Sequence, residues 1–290
     1  MRADLRLDRY ARVDDFLAAA GVFLEEREAE HNLILGVAGS LRDERRTIDE
    51  APPLFATVTA GAHVVAAALR TPPRNLILSE VDDRAAVSVL ADGLSGEEIP
   101  GVVGPPEAVR QFAERWTERT GDAWEVQLEE RIFRLRRVVA PRPSPGVMRE
   151  ATVSDRDLVF EWIVAFEREA LPERRPAAQI AEAVDDALAS VAHRIFLWEE
   201  AEPVSLVGVG GETPNGIRIG PVYTPPRFRG RGYASTLTAA VSQAMLNEGR
   251  RFCFLYTDLA NPTSNKIYTA IGYEPVTDAL MVGFVPPHAA

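Results

Sequence analysis

The sequence predicts an α/β protein, in the mixed α+β sense, because strand-like and helix-like segments alternate along most of its 290 residues. The alternation is clearest in the second half, where the predicted order is strand, helix, helix, three strands, helix, strand, helix and strand. Residues 140–146 hold three prolines and a glycine and divide the chain near its midpoint. We therefore predict two domains, residues 1–140 and residues 146–290.

The elements of the second half follow from their apolar patterns and their turn residues. The predicted elements are a strand at 147–151, a helix capped by Thr152 or Ser154, a helix at about 177–192, a hairpin of 194–198 and 203–209, a strand at 217–224, a helix from 233 to 248, a strand at 251–257 and a short helix and strand over 258–285. Pro221 lies within its strand and cannot donate a ladder hydrogen bond, which predicts a bulge there.

The first half carries weaker signals. Its predicted elements are a helix from residue 13, a helix-like run over 25–41, strands at 54–60, 63–70 and 75–79, a helix at 105–119 and a strand at 125–138. This order is similar to that of the second half, although no repeat is visible in the residues themselves. Between the third strand and the next helix, residues 100–105 contain glycines but no basic side chain.

The composition, 46% hydrophobic and 26% charged, is that of a globular protein. No run of about 18 apolar residues and no apolar signal segment is present, so we expect a cytoplasmic protein without a membrane span. The net charge of −11 argues against general nucleic-acid binding. It favours a cationic partner such as an amine, although acidity also serves solubility alone.

The segment that joins the strand at 217–224 to the next helix is the most informative one. Arg227, Arg229 and Arg231 alternate there with Gly230 and Gly232, directly before a helical pattern. Glycines let a ligand approach the backbone, and a helix N-terminus offers free N–H groups and partial positive charge. The segment therefore predicts a phosphate or pyrophosphate site. It contains neither the Walker A ending nor the G-x-G-x-x-G fingerprint.

The pattern Arg-x-x-Gly-x-Gly, carried by Arg227, Gly230 and Gly232, resembles the pyrophosphate loop of the GNAT superfamily of N-acyltransferases. The resemblance extends over roughly residues 147–285, with matching residues in the expected order at Asn261, Tyr268, Gly272 and Tyr273. It implies two tandem GNAT-like domains with acetyl-CoA as cosubstrate. The first domain lacks the CoA motif, so we expect it to be degenerate and not to bind CoA.

The resemblance also assigns roles to residues. The implied cofactor-binding residues are Val222, Tyr223, Thr224, Arg227, Arg229, Gly230, Arg231, Gly232, Tyr233, Ala234, Ser235, Asn261 and Asn265. Tyr268 is the implied catalytic residue, a general acid toward the departing thiolate. Two structural alternatives stay open, because Asn261 before Pro262 also suits a helix N-cap and Tyr268 also suits ordinary packing.

Other reactive residue types give no clear site. Glu212 and Asp258 are candidates for the general base, and each also suits a solvated turn. Cys253 lies inside an apolar strand, which favours a buried hydrophobe over a nucleophile. His31, His63 and His193 lack metal or triad spacing, so we expect structural histidines and no bound metal.

The resemblance implies an acetyl-CoA-dependent N-acetyltransferase that moves an acetyl group to a primary amine by direct attack. The alternatives are a non-catalytic module that senses CoA or another ligand, and a protein–protein scaffold built on the first half. The partner is a small-molecule or protein amine, and a homodimer stays open. The amine cannot be identified, because the residues around 160–179 that would shape its pocket carry no readable code.

Overall fold

The computed structural model describes residues 4–43, 51–171, 174–189 and 193–286. It contains two compact units, of which the first comprises residues up to Glu130 together with those from Thr277 onward, and the second comprises Arg131–Val276. This division differs from the predicted domains 1–140 and 146–290. The proline-rich segment 140–146 lies inside the second unit, and the end of the chain belongs to the first, because Leu280 and Val282 are buried in its core.

The first unit is built on a mixed sheet with the strand order β1-β2-β3-β4-β5-β12. Its elements are β1 Leu5–Tyr10, α1 Val13–Glu26, α2 Asn32–Arg42, β2 Leu54–Ala60, β3 His63–Arg70, β4 Leu76–Leu78, α3 Arg84–Leu94, β5 Gly101–Gly104, α4 Pro106–Thr120, the start of β6 Ala123–Leu135 and most of β12 Glu274–Val285. β4 and β5 are parallel, and the other registered neighbours in this unit are antiparallel.

The period-two pattern of β3 explains why this sheet has a core on both faces. Ala66 and Ala68 pack against the side covered by α3 and α4, whereas Ala67 and Leu69 pack against the side covered by α1 and α2. Successive strand residues point to opposite faces, so an apolar run such as this one is buried on both.

The predicted strands and helices of the first half are present, but three elements, β1, α3 and β5, were missed. β5 is only four residues long and has a glycine at each end. β1 is short, and Asp8 and Arg9 interrupt its alternation of apolar and charged residues. α3 carries Ser88, Asp92 and Gly93, which weaken a helical pattern. Asp83 caps this helix by accepting a hydrogen bond from the Ala85 N–H at 2.8 Å.

The second unit has the strand order β6-β11-β10-β9-β8-β7. Its elements after β6 are β7 Val147–Glu150, a 3₁₀ turn Val153–Asp155, α5 Arg156–Ala170, α6 Ala177–Ala189, β8 Arg194–Glu199, β9 Pro203–Gly210, β10 Gly216–Tyr223, a 3₁₀ turn Pro226–Phe228, α7 Tyr233–Asn247, β11 Phe252–Asp258 and α8 Pro262–Ala270. This is the predicted order, and the mixed α+β class is confirmed. The end predicted for the second helix, at about residue 192, lies outside the described residues.

Thr152, one of the two predicted caps, closes a capping box with Asp155 ahead of α5. The Thr152 N–H donates to the Asp155 carboxylate at 2.8 Å. Arg149 also binds that carboxylate, at 2.8 Å, and this bond is the main reason why the pKa of Asp155 is lowered to about 2.

The predicted bulge in β10 is confirmed, since its register with β9 shifts between Ile219 and Val222. Ile217 and Ile219 pack on the α7 side of the sheet, whereas Tyr223 packs on the α5 side, with its ring 6.2 Å from that of Trp162. Without the shift, Tyr223 would lie on the same face as Ile219, because strand side chains alternate.

No helix in the described ranges is long and apolar enough to cross a membrane.

His31 is a buried histidine that links the stability of the first unit to pH. It is buried, its Nδ1 lies 2.9 Å from the Leu24 carbonyl oxygen and its Nε2 accepts a hydrogen bond from the Glu80 N–H at 3.0 Å. These partners suit the neutral ring with its proton on Nδ1. Burial, the largest cause, lowers the pKa of His31 in the folded state.

Because the folded-state pKa lies below the unfolded value of about 6.5, the stabilisation is complete above that pH and is lost as the pH falls through the folded-state pKa. The free energy of unfolding should therefore decrease below pH 6.5, by at most about 1.4 kcal/mol per pH unit from this group. His31→Gln should cost about 1–3 kcal/mol at pH 7 and should flatten this slope. Urea unfolding at several pH values measures both effects.

The matched control is His63→Gln, which removes an exposed histidine of the same unit. An unchanged slope in His31→Gln would show that other groups cause the acid sensitivity.

Candidate functional site

The segment between β10 and α7 forms a tight loop anchored in the core. Its 3₁₀ turn is closed by the Phe228 N–H, which donates to the Pro225 carbonyl at 2.9 Å, and the Phe228 side chain is buried. Gly230 and Gly232 follow with φ of +78° and +83°. These values lie in the left-handed region, which glycine adopts at little cost, so the loop needs a glycine at both positions.

The main-chain N–H groups of residues 230–235 form the donor set of the loop. Gly232 occupies the N-cap of α7, and its carbonyl accepts from the Thr236 N–H at 3.0 Å. In the part of the chain that the structure describes, none of the N–H groups of residues 230–235 makes a hydrogen bond. Free N–H groups and the positive end of a 15-residue helix together suit an anion.

Two of the three arginine side chains of the loop, those of Arg227 and Arg229, are paired with carboxylates. Arg227 contacts Glu202 at 3.2 Å, and both side chains are exposed. The Arg229 guanidinium donates to the Thr224 carbonyl at 2.8 Å and to Glu169 at 2.5 Å. An anion could therefore bind the free main-chain N–H groups directly. To bind the guanidinium groups, it would have to displace the carboxylates that pair with them.

The aromatic residues beside the loop also contact carboxylates. The Tyr233 hydroxyl donates to Glu200, which is the main reason why the pKa of Tyr233 is raised, and the same hydroxyl lies beside Arg231. The Tyr223 hydroxyl donates to Glu169 at 3.3 Å. Glu169 at the end of α5 and the turn between β8 and β9 thus surround the loop with negative charge.

β10 separates from β11 beside this loop. The parallel pairing runs from Gly216 with Phe252 to Arg218 with Phe254, and within the described residues it extends no further. Val222 and Tyr223 pair with β9 on their other side. The β11-facing edge of this end of β10 is therefore available to the amides of an extended ligand.

Asn261 and Asn265 shape the connection from β11 to α8. The Asn261 Oδ1 accepts a hydrogen bond from the Ser264 N–H at 3.0 Å, so the N-cap interpretation of Asn261 is confirmed. The Asn265 side chain donates to the carbonyls of Asp258 at 3.2 Å and Asn261 at 2.9 Å. A cofactor-binding role of either residue stays a prediction.

Tyr268 on α8 is 8% exposed and packs edge to face on Tyr273, with ring centroids 6.0 Å apart. Its hydroxyl makes no hydrogen bond with any residue that the structure describes, whereas the Tyr273 hydroxyl pairs with Ser242 at 2.9 Å. Burial raises the pKa of Tyr268 to about 12. The residue therefore combines the predicted packing role with a neutral, free O–H group.

The other candidates have local structural roles. Glu212 is ion-paired with Arg250 at 2.5 Å, and the Asp258 carboxylate accepts from the Ala260 N–H at 2.7 Å. Cys253 is fully buried, as predicted, and burial raises the pKa of its thiol to about 12. A thiol of this kind is not a nucleophile at neutral pH.

Four residues around the loop were missed from sequence. They are Ser144, Glu169, Glu200 and Glu202. The acidic turn that holds Glu200 and Glu202 was recognisable, but its position beside the loop depends on the β8–β9 and β9–β10 pairings. Ser144 gave no signal, because a serine among prolines is typical of a linker.

The corresponding loop of the first unit lies between β4 and α3, and not at residues 100–105 as predicted from sequence, since that stretch contains β5. This loop carries Glu80, Asp82 and Asp83 in place of arginines and glycines. The Asp83 side chain accepts a hydrogen bond from the Ala85 N–H of α3, so this N–H is not free for a ligand. A Cβ on Gly104 would lie 2.8 Å from the Leu78 carbonyl oxygen, so β4 and β5 approach closely where β10 and β11 separate.

Comparisons with known proteins agree with this architecture. A family model described as FR47-like protein matches residues 195–282, which include the loop and α8. The fold is similar to that of a Drosophila protein (TM-score 0.70, 13% identity, 97% of this chain and 98% of that chain). It is also similar to a GCN5-related N-acetyltransferase from Sphaerobacter thermophilus (TM-score 0.61, 18% identity, 98% of this chain and 96% of that chain).

A tandem GNAT protein from the clavulanic acid biosynthesis pathway also shares the fold (TM-score 0.57, 13% identity, 97% of this chain and 98% of that chain). A search of the curated proteins found no match. At these identities the solved structures show the fold, and the predicted GNAT fold is confirmed. The comparisons thus establish a shared fold along the chain and a match to the FR47-like family model over residues 195–282.

Proposed function

We propose that the chain is an acyltransferase whose second unit transfers an acetyl group from acetyl-CoA to a primary amine. The observation that carries this proposal is the row of free N–H groups at residues 230–235, at the N-terminus of α7. A diphosphate is the anion that a helix N-terminus behind a glycine loop suits best.

The residues beside the loop support a CoA thioester in particular. The end of β10, with Val222, Tyr223 and Thr224, has one edge free of β11, which suits the two amides of a pantetheine arm. Acetyl-CoA supplies the activated acyl group and a thiolate leaving group. Binding at the loop, far from the reacting atoms, orients that end of the cosubstrate against the amine.

Tyr268 is the group that we assign as general acid. Its hydroxyl has no partner among the described residues, and its pKa of about 12 keeps it protonated throughout the physiological range. A neutral phenol can donate a proton or a hydrogen bond to a departing thiolate. Glu212 and Asp258 already have partners, so we assign the general base to neither.

A thiol-release assay with acetyl-CoA against a panel of small-molecule and protein amines tests this function. Turnover with at least one amine is expected. Binding of CoA without turnover of any amine would favour the alternative, a CoA-sensing module. If calorimetry detects no binding of CoA, the loop does not hold a diphosphate and both functions fail.

Tyr268→Phe should lower kcat by about 100-fold, because general acid–base catalysis contributes factors of this size. Its affinity for CoA should stay within about twofold of wild type, since the hydroxyl lies on a helix apart from the phosphate loop. Thermal stability should not change, because the hydroxyl has no described partner. Steady-state kinetics, calorimetry and thermal unfolding measure the three quantities.

Tyr273→Phe is the matched control, since it removes a phenol oxygen from the neighbouring ring. It should lose about 1 kcal/mol of stability with its Ser242 hydrogen bond and keep its turnover. Full activity of Tyr268→Phe would exclude Tyr268 from the mechanism.

Calorimetry should find one CoA bound per chain. The β4–α3 loop of the first unit presents Glu80, Asp82 and Asp83, which repel a diphosphate, and Asp83 already caps the helix. A stoichiometry of two would show that the first unit is a second cofactor site.

Glu202→Gln should raise the affinity for CoA by about two- to fivefold, because it removes a carboxylate that competes for Arg227. The range is that of an exposed ion pair, and the gain should shrink at high salt. Titration calorimetry at two salt concentrations measures it. Glu182→Gln, an equal charge change on the exposed side of α6, should not alter the affinity. Equal gains in both variants would indicate a general charge effect only.

A further inference from the structure

We propose that Ser144 is a positioning residue for the phosphate-binding loop, an inference that rests on the proposed function. Ser144 belongs to the proline-rich segment 140–146, which has the composition of a linker. The structure instead places this segment inside the second unit, with Ser144 against the loop.

The Ser144 hydroxyl bridges the loop and the first turn of α7. It donates a hydrogen bond to the Arg231 carbonyl oxygen at 2.9 Å and accepts one from the Thr236 hydroxyl at 3.1 Å. Thr236 is buried, so its side chain offers a fixed point of attachment. One hydroxyl therefore uses both its donor and an acceptor lone pair to join two segments that surround the donor set.

The bond to Arg231 controls the direction of a main-chain donor. The peptide between Arg231 and Gly232 is trans, and in a planar trans peptide the carbonyl and the following N–H point in opposite directions. Holding the Arg231 carbonyl toward Ser144 therefore directs the Gly232 N–H away from Ser144. That N–H belongs to the free row at residues 230–235.

Close packing at Gly232 adds to this control. A Cβ built on Gly232 would lie 2.9 Å from the Ser144 Oγ, so the hydroxyl occupies the space beside the Gly232 Cα. Gly232 also has a φ of +83°, which glycine adopts at little cost. Ser144 thus packs against the loop from outside, at the N-cap residue of α7.

The backbone next to Ser144 is itself fixed, through a hydrogen bond to Pro145. The Trp198 Nε1–H donates to the Pro145 carbonyl oxygen at 2.7 Å. Pro143 and Pro145 flank Ser144 and restrict the backbone on both sides. A hydroxyl on a restrained backbone loses little entropy when the ligand binds, which favours a pre-organised binding loop.

If Ser144 only stabilised the fold, its loss would lower the stability of the protein or weaken the binding of every ligand equally. A positioning role acts only on ligands that reach the loop. Pantetheine, which lacks the diphosphate, and CoA, which contains it, therefore separate the two roles. Both are measured on the full chain by competition with acetyl-CoA and, for CoA, by calorimetry.

Ser144→Ala should weaken CoA binding by about three- to tenfold, the range that the loss of one hydrogen bond produces. Its affinity for pantetheine should be unchanged. In turnover, the KM for acetyl-CoA should rise by more than kcat changes. Ser154→Ala is the matched control, because Ser154 is an exposed serine in a 3₁₀ turn of the same unit, and it should match wild type in every measurement.

Thr236→Val removes the second contact of the same hydroxyl and leaves the bond to Arg231 in place. It should weaken CoA selectively, by a smaller factor than Ser144→Ala. It also keeps the inference testable if Ser144→Ala unfolds. Thermal unfolding of each variant shows whether it is folded at the assay temperature.

Two results would overturn the inference while the proposed function stands. They are wild-type CoA affinity in Ser144→Ala, and an equal loss of affinity for CoA and pantetheine. Absence of CoA binding by the wild-type chain would overturn the proposed function, and this inference would fall with it.

Discussion

The register shift in β10 between Ile219 and Val222 is the constraint on which the second unit depends. It moves Tyr223 to the α5 face, while Ile217 and Ile219 stay in the α7 core. Past this point β10 no longer pairs with β11 in the described chain. The strand can then leave the sheet, pass through two prolines and reach the N-terminus of α7 with its loop held by Phe228. Both the free strand edge and the free helix donors follow from this one irregularity.

Two kinds of donor meet at the loop, and they differ in how firmly they are fixed. The N–H groups of residues 230–235 are set by φ angles that only glycine adopts readily and by the start of a 15-residue helix. The side chains of Arg227 and Arg229 are exposed and paired with Glu202 and Glu169, respectively. Exposed pairs of this kind contribute little to stability, so they can exchange partners easily. Under the proposed function, the backbone would provide selectivity for phosphate geometry, and the arginines would provide adjustable charge.

Much of this site could be predicted from sequence, because its signals are local. Gly230 and Gly232 indicate their own backbone angles, Asn261 before Pro262 indicates a helix N-cap, and Cys253 in an apolar run indicates a buried thiol. The GNAT order of elements in the second half was readable for the same reason.

The parts that escaped prediction depend on contacts between distant residues. Ser144 bonds to a carbonyl 87 positions later, and Glu169 bonds to an arginine 60 positions later. Neither residue differs locally from a linker serine or a helix-end carboxylate. β1 and α3 were missed because their patterns are weak and their partners, β2 and α4, are identified only by the fold.

The position of β12 in the first unit has a consequence for the order in which the two units fold during synthesis. Leu280 and Val282 complete the core of the first unit. Along the sequence, the whole of Arg131–Val276 separates these two residues from the other residues of that core. On the ribosome, the second unit can finish folding once residue 276 has emerged, whereas the first must wait for the last strand to be synthesised. The first unit is thus the later of the two units to reach its native state. Truncation of the chain before β12 would expose the apolar core of this unit, which is otherwise built from N-terminal residues.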